Sequence, residues 1–120
     1  MVQRVAGVVT AQYRRNIMRF LVKARMDTEK ANALARQGKL GETAGAIIAE
    51  QKPEAVYFAL DNGKRTAFLF LNMDDPSELP AIAEPWFLAF NAEIDSQPAM
   101  TPEDLQKAGP GIEAAVKNFG

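Results

Sequence analysis

The most constraining stretch of the sequence is Val56-Tyr57-Phe58-Ala59-Leu60, then Asp61-Asn62-Gly63-Lys64, then Thr66-Ala67-Phe68-Leu69-Phe70-Leu71. Two apolar, aromatic-rich runs around Asn-Gly predict a β-hairpin, because Asn and Gly tolerate the positive φ angles of a type I′ turn. With Asn62 and Gly63 as the loop, Leu60 pairs with Arg65, Phe58 with Ala67 and Val56 with Leu69. Ala59 then pairs with Thr66, and Tyr57 with Phe68. Side chains alternate across a strand. Val56, Phe58, Ala67, Leu69 and Leu71 therefore share one face, and Ala55, Tyr57, Ala59, Phe68 and Phe70 the other. Both faces are apolar, whereas an antiparallel sheet usually packs one face and wets the second. Two covers are needed, and the helices predicted elsewhere supply one. The simplest second cover is the sheet of another subunit, which predicts a homodimer joined through the sheet face.

The remaining elements follow from periodicity and punctuation. Phe20, Val22 and Ala24 alternate with Leu21, Lys23 and Arg25, a period-2 strand. Asp27 or Thr28 can cap a following helix, with Glu29 at its positive end. Ala31, Leu34 and Ala35 form one apolar stripe, and Leu40, Ala44, Ile47 and Ile48 a second. Gly38 and Gly41 lie between them and predict a break near Gly38, since each Gly costs a helix about 1 kcal/mol relative to Ala. Pro53 ends this helical region. Asp75-Pro76-Ser77-Glu78 reads as cap, Pro and acid at a helix start. Pro80 and Pro85 predict a short helix there, followed by an irregular turn. A weaker strand over 92–97 ends at Pro98, and Thr101-Pro102-Glu103-Asp104 opens a short helix to about Ala108. Gly109-Pro110-Gly111 should break it before a helical tail at 112–119. The order from Met18 is strand, helix, strand, strand, helix, strand, helix. That is an α+β, ferredoxin-like βαββαβ domain with a C-terminal helix.

The charge is uneven along the chain. Residues 1–17 hold Arg4, Arg14 and Arg15 and no acid, a charge of +3. Residues 18–120 hold the other 11 of 14 basic residues and all 15 acids, a charge of −4. Residues 1–17 are therefore expected to be an N-terminal extension, and 18–120 a single domain. No basic patch marks nucleic-acid binding, and no apolar run approaches a membrane span. A cytoplasmic location is expected. With no Cys and no His, disulfides, thiolate nucleophiles, Cys/His zinc sites and a His general base are excluded. No cofactor and no metal is expected.

The segments Phe20-Leu21-Val22-Lys23-Ala24-Arg25-Met26-Asp27, the hairpin over 55–71, Asp74-Asp75-Pro76-Ser77-Glu78-Leu79 and Glu93-Ile94-Asp95 together resemble the small dimeric α+β barrel proteins. The likeness is to the muconolactone isomerase-like group and to uncharacterised bacterial proteins of similar length. It covers roughly residues 18–107 in pattern and lengths, without a catalytic motif. It implies subunits paired sheet to sheet. It implies a function among cofactor-free isomerases, monooxygenases, haem-linked enzymes and ligand-binding domains, so fold alone does not choose. Lacking His, the chain departs from members that use His for haem or catalysis. No catalytic residue is carried over.

The residues themselves supply candidates. Arg25 can hold a substrate carboxylate, or be a solvated strand-end charge. Tyr57 can donate a proton, or be an interface tyrosine. Trp86 and Phe87, with Phe90, can wall an apolar pocket, or pack on the sheet. Asn91 can orient a carbonyl or enolate oxygen, or end a helix. Glu93 and Asp95 can do acid–base work or form a polar edge, and Asp74-Asp75 reads as a cap. Three classes of function stay open. One is a cofactor-free isomerase or monooxygenase-like enzyme on a small organic metabolite. The others are a small-ligand-binding module without turnover, and an interaction module with a partner on its surface.

Overall fold

A computed structural model describes residues 18–120. The expected N-terminal extension, 1–17, lies outside the described residues. The elements run β1 (Met18–Arg25), α1 (Thr28–Arg36), α2 (Leu40–Gln51), β2 (Ala55–Asp61), β3 (Lys64–Met73), a 3-10 turn (Pro76–Glu78), α3 (Leu79–Phe90), β4 (Glu93–Pro98), α4 (Pro102–Lys107) and α5 (Gly109–Phe119). The domain is α+β. Its four strands form one antiparallel sheet in the order β2-β3-β1-β4, compatible with a ferredoxin-like arrangement.

The hairpin has the register read from the sequence, with Leu60 opposite Arg65, Phe58 opposite Ala67 and Tyr57 opposite Phe68. Asn62 and Gly63 both take positive φ, 54° and 77°, as a two-residue I′ turn demands. The helix break falls at Gly38, φ +72°. There the amides of Gly38 and Lys39 donate back to the carbonyls of Ala35 and Leu34 (3.0 and 2.8 Å) in a Schellman closure. Asp27 caps α1 by accepting the Lys30 amide at 2.9 Å. Lys52, left-handed at φ 51°, ends α2 just before Pro53.

Two local expectations need correction. Leu79–Phe90 is one continuous helix, not a short helix with an irregular turn. Pro80 sits in the first turn, where a missing N–H costs nothing. Pro85 does remove a bond to the Ala81 carbonyl, but Ala81 is exposed, and burial of Ile82, Ala83, Trp86 and Phe90 holds the turn together. Likewise Gly109-Pro110-Gly111 forms the first turn of α5 instead of preceding it, so the break falls at Ala108.

The core lies between one sheet face and the helices. Val22, Ala24, Ala67 and Leu69 from the sheet meet Ala31 from α1, Ala44 and Ile47 from α2, and Ile82, Trp86 and Phe90 from α3. Trp86 stacks on Phe90 with ring centroids 5.6 Å apart. Its Nε1 donates to Gln51 Oε1 at 3.2 Å, and Gln51 Nε2 donates to the Ile82 carbonyl at 2.8 Å. Gln51 thus ties the end of α2 to α3 and satisfies the one polar atom of the largest core side chain.

Candidate functional site

The helices bury Val22 and Ala24 of β1 and Ala67, Leu69, Leu71 and Met73 of β3 but stop short of the edge strand β2, where Phe58 and Leu60 stay exposed. Between α2 and the hairpin they leave a groove of about 500 Å³. Its helix wall is Gly41, Ala44, Gly45 and Ile48, and its sheet wall includes Phe58, Leu60 and Arg65. Gly41, Ala44 and Gly45 fall on one helix face by their three- and four-residue spacing. A Cβ at 41 or 45 would meet nothing within 4 Å, so the small residues hold the groove open without being required by packing. Across it Phe58 and Leu60 remain 55% and 73% exposed. The volume lies in the range of small-molecule sites. Only Arg65 and Thr66 among its lining residues have polar side chains. The Thr66 hydroxyl donates to the Lys64 carbonyl at 3.0 Å.

Among the described residues, no helix packs on the opposite sheet face. Tyr57, Phe68, Lys23 and Asp95 form one row across the four strands, and Ala55, Phe70, Leu21 and Gln97 another. Lys23 Nζ lies 5.9 Å from the centre of the Phe68 ring. Towards the hairpin tip this face becomes charged. Arg25 Nε donates to Asp61 Oδ2 at 2.6 Å, its terminal nitrogens reach Asp95 and Glu93, and Lys64 pairs with Glu93 at 3.3 Å. Hydrogen bonds to Asp95 and then Asp61 hold the Arg25 guanidinium above its ordinary pKa. At the other end Arg19 Nε lies 2.5 Å from Glu54 Oε1, and this hydrogen bond holds the Glu54 carboxyl below the usual range.

The five candidate residues do not converge. Arg25 and Tyr57 share the open face, on β1 and β2 with β3 between them. The Arg25 side chain is 12% exposed and engaged by carboxylates, whereas Tyr57 is 65% exposed. Trp86 is fully buried beneath the other face. Phe87 points outward at 39% exposure. Asn91 ends α3 in the left-handed conformation, φ 50°, its amide donating to the Phe87 carbonyl at 2.9 Å. None of the five lines the groove. Glu93 and Asp95 pair with cations, and Asp75 accepts the Ser77 amide at 2.9 Å as a cap. The groove was missed from sequence because Gly41 read as a helix breaker. The usable signal was small residues at 41, 44 and 45 facing a hairpin with Phe58 and Leu60 on the same side.

No helix among the described residues is long and apolar enough to cross a membrane. No curated protein and no solved structure matches the chain. A family model does match, from the first residue of β1 into α5. Over residues 18–112 it is the domain of unknown function DUF3303, and the chain belongs to that family.

Proposed function

We propose that the chain is a homodimeric small-molecule-binding module, with one apolar ligand held in the groove of each subunit. The observation that carries this reading is the groove itself. It is of ligand size, walled by Leu40, Ala44, Ile48 and Phe58, and kept open by two glycines that nothing fills. Turnover by an isomerase or monooxygenase needs polar groups converging on a substrate. Arg25 and Tyr57 stand on the other side of the sheet, so binding without turnover is the reading favoured here.

The dimer rests on the open face and on α5. A face of four strands and about seven residues measures roughly 19 by 23 Å, on the order of 440 Å². A standard interface takes about 800 Å² from each partner. Every residue of α5 beyond Gly109 is exposed, including the stripe Ile112, Val116 and Phe119. That stripe, and the strip on which the partner's α5 would lie, each add about 160 Å² and bring the total near 760 Å². A pair joined sheet to sheet is also what the resemblance to dimeric α+β barrel proteins implies.

Filling the groove tests the ligand reading. Gly45→Leu places a side chain in open space, so the fold should survive. An uncharged solvatochromic dye should bind the wild-type chain and lose about tenfold in affinity to this variant, with the melting temperature retained. Equal dye binding by both chains would remove the groove as the site.

A further inference from the structure

We infer that the groove selects ligands with a carboxylate head on an aliphatic or aromatic body, and that Arg65 is the residue that holds the head. This inference rests on the groove being the binding site.

Arg65 stands opposite Leu60 in the hairpin ladder, on the same sheet face as Phe58 and Ala67. It is the only charged residue among those lining the groove. The other two strand arginines have acid partners, Arg19 with Glu54, and Arg25 with Asp61 and Asp95. The neighbouring Lys64 is paired with Glu93. Arg65 makes no ion pair among the described residues, although it is partly buried. Arg65 thus presents, beside an apolar wall, a guanidinium that no acid of the described residues engages. Its planar fork fits a carboxylate with two parallel hydrogen bonds. The apolar wall around it lowers the local dielectric and strengthens such a pair. Met26, Leu40, Ile48 and Phe58 would receive the ligand's body.

The test is displacement of the bound uncharged dye by matched competitors: octanoate against octanamide, and 4-phenylbutyrate against 4-phenylbutanamide. The acids should compete about tenfold better than the amides, the gain expected of a charge-assisted hydrogen bond over a neutral one. Arg65→Gln should bring the acids down to the amides with the melting temperature retained, each competition being referred to the dye affinity measured on that same variant, and Arg65→Lys should restore part of the difference. Equal competition by acid and amide on the wild-type chain, which requires no variant, would overturn the assignment. So would an acid preference that survives in Arg65→Gln. Dye that fails to bind the wild-type chain would overturn the groove reading itself, and this assignment with it.

Discussion

Leu69 and Phe68 are neighbours on β3, and their surroundings differ completely. Leu69 is fully buried beneath the helices, together with Val22, Ala24 and Ala67. Phe68 faces the other way, in the row that contains Tyr57 at 65% exposure. Both faces are apolar in composition, so hydrophobicity does not distinguish them. The number of helices does. Among the described residues, the helices packed on the sheet close one face, fall short of its β2 edge to leave the groove, and leave the second face without a helix. Apolar side chains that a domain's own elements leave exposed in a patch mark the places where it meets something else.

The largest expected effect lies on the covered face. Leu69→Ala should lower the unfolding free energy by about 2–5 kcal/mol at any protein concentration, measured by urea titration, because it opens a cavity in a closed core. Phe68→Ala should act differently, with a loss that grows with protein concentration, since in the proposed dimer its cover belongs to a second copy. If both losses were independent of concentration, the contrast between the faces would disappear. A smaller effect is expected where the helical cover bends. Gly38→Ala forces a Cβ into the left-handed region at φ +72°, for about 1–2 kcal/mol by the same titration.

The smallest effect is electrostatic and sits at the end of the open face. The folded-state pKa of Glu54 is lowered, so its contribution is present above the unfolded value, about 4.3, and is lost as pH falls through the folded value. The wild-type chain should therefore melt above Glu54→Gln at neutral pH, and the two melting curves should converge in acid. Curves that stay apart below pH 3 would assign the difference to packing instead.

Local features were legible in the sequence. The hairpin register, the Asp27 cap, the closure at Gly38 and the positive φ at Asn62-Gly63 depend on residues within a few positions of one another. The helix through Pro85 was not legible, because burial of Trp86 and Phe90 overrides a local breaking signal. The site was less legible still. Trp86, Phe87 and Asn91 are close in sequence, yet helical rotation and the α3 terminus send them in different directions. Arg25 finds its carboxylates 36 and 70 positions away, pairings that no spacing rule supplies. The groove depends on how far α2 stands from β2, which only tertiary packing fixes.

Solution mass by light scattering, on the wild-type chain and on Phe68→Asp, tests most directly whether the bare face has a second copy as its cover. The wild type should have twice the 13.1 kDa chain mass, and Phe68→Asp should have the single-chain mass with its far-ultraviolet circular dichroism unchanged. A wild-type mass of one chain, or a Phe68→Asp dimer as tight as the wild type, would refute the sheet-to-sheet pairing.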